Sequence, residues 1–317
     1  MPGSIDVVIP TRNRLDLTES CLAHLEAQTV PHQVIVVDGG STDGTPAQVR
    51  ERWPDVRVEL LGTSRGFAEA CNRGVAAGTG DIVVLLNNDV DCRPDFLERL
   101  VAPFDADPRA GAVAALMLQP GERTIDSMGL CADVTLGAFP RLQGLPVDRA
   151  GDVAPVLACP AGAAAAYRRR AWLEVGGLDE AIHAYMEDFD LGLRMRAAGW
   201  SVAGRSDAVG VHLGSATHGH RSARQRRLGG FSRGYLLRRY RVLHGRAGLR
   251  ALLTEAVVSV GDIVISRDVA ALRGRLAGWR AANQLPRRTA PAAAIDTGIG
   301  LRASLALRRG VYGKRPA

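Results

Sequence analysis

The sequence predicts an α/β protein: a doubly wound, mainly parallel sheet with helices on both faces, followed by a basic helical C-terminal appendage. Three observations predict it. Short apolar runs alternate with amphipathic segments through the first hundred residues, and polar residues crowd the ends of those runs. The charge also changes sign along the chain. Residues 1–216 hold 19 arginines against 29 acids, a net of −10, whereas residues 217–317 hold 21 basic side chains against 4 acids, a net of +17.

The elements follow in order. "IDVVIP" reads as a strand, "RLDLTESCLAHLEAQ" as a helix, "QVIVVDGG" as a strand and "TPAQVRERW" as a helix. The strand "VRVELLG", the helix "GFAEACNRGVAAG" and the strand "DIVVLLN" come next. Strands this uniformly apolar are buried on both faces, as helices on either side of a parallel sheet would bury them. The pattern loosens over residues 119–152, and "MEDFDLGLRMRAAGW" then reads as a helix with acids in its first turn and Gly199 just past its end. "SVAGRSDAVGVHLGSATH" predicts two short strands ending at His212. Beyond residue 217 the chain reads as basic helices broken at Gly229-Gly230 and Gly245, with a weakly ordered tail over 286–317. The expected division is therefore 1–216, 217–285 and 286–317.

Composition narrows the function. Five well-separated cysteines without a CxxC pair fit free thiols in a reducing compartment, not a disulfide framework or a zinc site. No uncharged apolar window reaches about 18 residues, and the N-terminus lacks a basic start followed by an apolar run. The expectation is a cytoplasmic chain, or one held peripherally at the inner face of the plasma membrane. The basic appendage suits an anionic surface, either membrane or nucleic acid, or a solvated helical face.

In parallel sheets ligands bind beyond the carboxyl ends of the strands. Here "PTRNR", "DGGSTDGT" and "NNDVD" follow the first, second and fourth strands. Each could be turn chemistry alone; three at ends that one sheet brings together point to a site.

These pieces resemble family 2 glycosyltransferases of the GT-A fold, in the branch with bacterial rhamnosyltransferases. The resemblance covers roughly residues 4–215 and rests on "VVIPTRNR", "VIVVDGGSTDGT", "RGFAEACNRGV", "LLNNDV", "IDSMG", "GGLDE", "YMEDFDLGLRMRAAGW" and "VHLGSAT". It implies inverting transfer of a sugar, rhamnose or another hexose, from a dTDP- or UDP-sugar to a glycan or lipid-linked acceptor in cell-envelope polysaccharide synthesis. It also implies a divalent cation, Mn2+ or Mg2+, held by Asp89, Asp91 and His212. The other reading of the two aspartates is a cap for the helix that "RPDFLERL" begins.

By the same resemblance Asp38 reads the imino N–H of a pyrimidine, while Pro10, Thr11 and Asn13 cradle the nucleotide. Asn88 touches ribose or a metal-bound water, and Arg65 meets base or phosphate. Asp188 is the expected general base, since a sugar hydroxyl is a poor nucleophile until a carboxylate takes its proton. Glu187 orients the acceptor or the base, and Gly162 allows close approach of the acceptor or donor sugar. The competing reading of Asp188 is an acid favoured by its helix dipole, the reading preferred for Asp190; Asp43 caps the helix near Thr45. Two rivals remain: a nucleic-acid binder using "FSRGYLLRRYRVLH", and a sugar-nucleotide binder without turnover.

Overall fold

The computed structural model describes residues 3–63, 66–151, 156–214, 222–245 and 247–313, with side chains through 308. Its first part is β1 (Ile5–Thr11), α1 (Leu15–Glu26), β2 (Gln33–Asp38), α2 (Thr45–Arg52), β3 (Arg57–Leu60), α3 (Phe67–Ala77) and β4 (Ile82–Leu86). There follow β5 (Val90–Cys92), α4 (Phe96–Ala106), β6 (Ala110–Leu118) and the short strands β7 (Ile125–Ser127), β8 (Leu130–Ala132) and β9 (Ala138–Pro140). Then come β10 (Ala164–Arg168), α5 (Arg169–Glu174), α6 (Glu187–Ala197) and β11 (Ser201–His212). The appendage is α7 (Ala223–Arg239), α8 (Gly248–Ser266), α9 (Ala270–Ala281) and α10 (Leu301–Gly313).

The main sheet runs β3-β2-β1-β4-β10-β6-β11-β5, with β7 on β6. β1 pairs in parallel with β2 and β4, and β6 with β11. β10 is antiparallel to both β4 and β6, and β5 is antiparallel to β11. Alternation along each strand serves two cores. Ile82, Val84 and Leu86 of β4 pack with Leu22 of α1 and Leu97 and Leu100 of α4, while Val83 and Leu85 pack with Val75 of α3 and Leu191 of α6. A strand buried on both faces has no solvent side to carry polar residues, so polarity collects at its exit.

Three expectations differ from the fold. β11 is one strand instead of two, because the register slip between Arg205 and Val209 is absorbed as a bulge with Asp207 exposed. Gly229-Gly230 does not break α7. Gly230 and Gly234 instead face the α9 backbone at Ala271 and Arg275, and Gly274 and Gly278 face the α7 backbone at Arg227 and Phe231. A Cβ there would lie 2.2 Å from Ala271 O at Gly230 and 1.9 Å from Phe231 O at Gly278. Glycine is needed because backbone meets backbone. Residues 286–313 are not a loose tail in this fold. Arg288 N donates to Arg239 O at 2.7 Å, Asp296 N donates to Ala132 O at 2.7 Å, and Ala294 and Ser304 are fully buried.

The appendage packs directly on the sheet domain. Tyr235, Leu236, Tyr240, Ala251 and Ala282 share a core with Leu136, Ile182, Phe189 and Leu193. Buried Arg233 donates to Glu255 at 2.8 Å and to the Thr135 carbonyl at 2.8 Å, and Arg250 reaches fully buried Asp133 at 3.2 Å. Part of the charge asymmetry is thus neutralised inside the molecule.

Candidate active site

The carboxyl ends of β1 and β2 lie side by side, Thr11 in register with Asp38. Asp38 Oδ2 accepts from the Gly40 amide at 3.0 Å and the Ser41 amide at 2.9 Å, whereas its buried Oδ1 has no hydrogen-bond partner. The loop holds one oxygen and leaves the other without a hydrogen bond. Asn13, at φ 57°, accepts from the Thr42 amide at 2.9 Å and donates its own amide to Ser41 Oγ at 2.7 Å, tying the two loops together. Pro10 is half-buried in β1. Asn88 turns its amide group inward, donating to Thr11 and Thr18 hydroxyls at 3.1 Å each, so this end braces β4 to β1. Asp43 accepts from the Thr45 and Leu15 amides at 3.1 and 3.3 Å, serving the starts of α2 and α1. Arg65 lies outside the described residues, as do the last three residues of "VHLGSAT".

Past β4, the chain brings Asp89 to His212 but aims Asp91 elsewhere. His212 Nε2 lies 3.5 Å from Asp89 Oδ1, a buried oxygen with no hydrogen-bond partner. Asp91 instead accepts from Ser20 Oγ at 3.0 Å and lies 3.4 Å from His24 Nδ1, both on α1. Among the described residues no three His, Cys, Asp or Glu side chains cluster tightly enough to hold a metal ion. The expectation that both carboxylates share one cleft therefore differs from the structure, because α1 offers Asp91 a hydroxyl partner.

Asp126, in the "IDSMG" stretch, is the residue sequence reasoning left without a role. Its Oδ2 sits 2.9 Å from His212 Nδ1, which fixes the ring so that Nε2 points at Asp89. Burial works against a charge on His212, but attraction to Asp126 and Asp89 outweighs it and pushes the imidazole up to about 10. A folded-state pKa above the ordinary 6.5 stabilises the fold below that value, and the contribution is lost as pH rises through about 10. The thermal midpoint of EDTA-treated protein is expected to fall between these pH values, and Asp126→Asn should flatten the fall. Parallel curves for the two proteins would remove this pair as the cause.

The third part is the start of α6. Asp188 Oδ2 accepts from the Gly162 amide at 2.8 Å, and Oδ1 from the Phe189 amide at 2.7 Å. A Cβ on Gly162 would stand 3.2 Å from Asp188 Oδ2, so the glycine permits this approach. The neighbouring Ala163 carbonyl accepts from Asn87 N at 2.9 Å, linking the loop to the β4 exit. Glu187 is buried, with Oε2 unpartnered. Burial raises both carboxyls above their ordinary range, and the charge of Asp188 raises Glu187 further. The preceding Tyr185 and Met186 both hold positive φ, 67° and 66°, a strain tolerated where surrounding structure fixes it.

Asp190 faces away from this group. It accepts from Arg194 at 2.7 Å, Tyr240 Oη at 2.9 Å and Arg288 at 2.6 Å, so it fastens α6 to the appendage.

A mainly parallel sheet of this order, with acidic groups gathered at its carboxyl edge, is the GT-A class of glycosyltransferase architecture. The sequence profile described as Glycosyl transferase family 2 matches residues 6–175. The chain belongs to this family and is a glycosyltransferase. It is 35% identical over 225 residues to an N-acetylglucosaminyl-diphospho-decaprenol L-rhamnosyltransferase of Mycobacterium tuberculosis, covering 63% of this chain and 73% of that one. It is 29% identical over 224 residues to the O-antigen biosynthesis protein RfbC of Myxococcus xanthus, covering 67% of this chain and 17% of that one. Among solved structures, the mannosyltransferase PcManGT of Pyrobaculum calidifontis, in complex with GDP-Man and Mn2+, aligns with a TM-score of 0.55 and 22% identity over 99% of this chain and 89% of that one. GalNAc-T7 with UDP, GalNAc and Mn2+ aligns with a TM-score of 0.59 and 14% identity, covering 75% of this chain and 48% of that one. No helix among the described residues is long and apolar enough to cross a membrane.

Proposed function

We propose that this glycosyltransferase moves a sugar, rhamnose foremost, from a nucleotide diphosphate donor to a hydroxyl of a lipid-linked glycan, with inversion. One observation carries the reading. Asp38 Oδ1, Asp89 Oδ1 and Glu187 Oε2 are buried carboxylate oxygens with no hydrogen-bond partner, one in each of the three parts of the site, Asp89 Oδ1 having the 3.5 Å approach of His212. Buried polar atoms are normally satisfied, so three orphans together suit a site completed by its substrates. The rhamnosyltransferase activity of the mycobacterial relative, on a diphospho-decaprenol acceptor, supplies the preference for rhamnose and a lipid-linked acceptor.

In this reading Asp38 accepts the imino N–H of uracil or thymine, and Thr11 and Asn13 shape the floor beneath the nucleotide. Asp89 and His212 would hold a divalent cation, His212 giving up its Nε2 proton to solvent as it does so. Two protein ligands suit Mg2+ or Mn2+, which keep waters and take donor phosphates as further ligands. When bound, the cation neutralises charge on the departing diphosphate. Asp188 takes the acceptor proton as the hydroxyl oxygen attacks the anomeric carbon. The carbon–phosphate-oxygen bond breaks with its electron pair leaving on the diphosphate. Glu187 orients the acceptor. The appendage keeps α6 in place through Asp190 and leaves the chain peripheral to the membrane that holds its acceptor.

Purified protein incubated with a panel of dTDP-, UDP- and GDP-sugars and a lipid-diphosphate N-acetylglucosamine acceptor tests this. Transfer from dTDP-rhamnose, faster with Mn2+ than with EDTA, is expected. Transfer only from a GDP-sugar would overturn the pyrimidine reading of Asp38. No transfer from any donor, with intact donor binding, would favour a binding protein.

A further inference from the structure

α8 is built inside out. Its apolar residues recur at three- and four-residue spacing, the pattern of one helical face. Yet that face is the one turned outward: Leu249, Leu252, Leu253, Val257, Val260 and Val264 are 54–70% exposed. The face turned to the protein holds Gly248, Ala251, Thr254 and Glu255, with Glu255 Oε1 2.7 Å from Arg233 and Oε2 3.2 Å from Arg275. An ordinary surface helix has the opposite polarity, and a contiguous exposed aliphatic face marks an interaction surface.

The exposed charges at the end of α8 and on the helix that follows it select the occupant. Arg267 at the end of α8 and Arg273 and Arg280 on α9 are exposed, with exposed Leu276 between the last two. Glu255 is buried between its two arginines, Asp268 pairs with Arg226 and accepts from the Ala270 amide at 2.8 Å, and Asp262 is half-buried. An isologous contact with a second copy would bring matching arginine rims together, which repel. Nucleic acid would want aromatic side chains for stacking, and α8 has none. An aliphatic face on a helix that ends in exposed Arg267 and is followed by exposed Arg273 and Arg280 fits the headgroup–acyl boundary of an anionic bilayer.

We infer that the outward face of α8 inserts into an anionic membrane surface and, with Arg267, Arg273 and Arg280, docks the enzyme there. The inference rests on the lipid-linked acceptor reading for its purpose, though not for its geometry. Charge attraction falls with salt, whereas apolar insertion does not. The two components therefore separate by experiment.

The test is flotation of the full chain with vesicles of equal parts phosphatidylcholine and phosphatidylglycerol, at low and high salt. Leu253→Glu with Val260→Glu is expected to reduce partitioning by about tenfold or more at both salt levels, because aliphatic burial drives insertion. Arg273→Glu with Arg280→Glu should remove mainly the salt-sensitive part. All four positions are exposed, so thermal midpoints should stay near wild type; Leu253→Ala with Val260→Ala gives a milder pair if the glutamates disturb folding. Transfer to a short-chain, water-soluble acceptor should be unchanged in every variant. Wild-type binding that both α8 pairs leave intact would overturn the inference while leaving the transferase reading in place. So would a wild-type dimer that these substitutions split and that ignores vesicles. Loss of soluble-acceptor transfer in the wild type would count against the transferase reading alone.

Discussion

Asp188→Asn is expected to lower turnover by about 10²–10⁴-fold, the range for losing a general base, while donor affinity stays close to wild type. The argument is geometric. Both Asp188 oxygens already accept backbone amides, from Gly162 at 2.8 Å and Phe189 at 2.7 Å, so the side chain is fixed before any substrate arrives. Asparagine can keep one of these bonds but must turn its NH2 toward the other donor. That loss is offset because a buried charge disappears, and burial is the main force holding Asp188 above the ordinary carboxylate range. The thermal midpoint should therefore move little.

A helix-terminus role predicts the reverse: a stability loss of about 0.3–1 kcal/mol with the rate preserved. The pH profile gives a second readout. A raised Asp188 places the wild-type rate limb above the usual range for aspartate, and the residual rate of the variant should lose that limb. Near wild-type turnover in Asp188→Asn would move the base elsewhere, to Glu187 first.

Much of this was legible in the sequence, for identifiable reasons. The sheet was legible because β1, β2 and β4 are apolar on both faces and stop at polar loops, and a doubly covered parallel strand leaves few other readings. Asp38 and His212 were expected at strand ends and Glu187 and Asp188 at a helix start, which is where they lie, whereas the roles given to them and to Asp89 came from the family resemblance. What escaped depended on contacts between distant residues. Asp91 shares the DVD stretch with Asp89, but Ser20 and His24 lie 71 and 67 residues earlier in the chain. Asp126 has no local feature that ties it to His212, 86 residues on. The glycine pair in α7 read as a break because the backbone that Gly230 packs against, at Ala271, lies on α9. Arg288 read as tail because its carboxylate partners, Asp179 and Asp190, belong to the sheet domain. The inverted face of α8 was within reach, since spacing shows an apolar stripe. Sequence alone does not tell which way a stripe points.

The second large effect expected is on donor binding. Asp89→Ala should abolish the divalent-dependent part of nucleotide affinity, measured by calorimetry with UDP or dTDP and Mn2+. The loss should exceed the about 10–100-fold typical of removing an outer partner of a metal ligand, the range expected for Asp126→Asn. Asp89 keeps its place in the fold by its backbone, whose carbonyl accepts from Leu213 N at 2.9 Å, and that bond survives the substitution. Its side chain gives the fold an attraction to His212 at 3.5 Å and a weaker one to Arg14, so Asp89→Ala should fold normally and leave the imidazole less basic.

Asp91→Ala is the informative comparison. In the structure Asp91 accepts from Ser20, so its loss should weaken α1 packing and reduce Mn2+ affinity far less than Asp89→Ala does. Equal, complete loss in both variants would mean that Asp91 leaves Ser20 and joins the cation when the donor binds. Full affinity in Asp89→Ala would take Asp89 out of the metal site, and the orphaned Oδ1 would then need another donor to satisfy it.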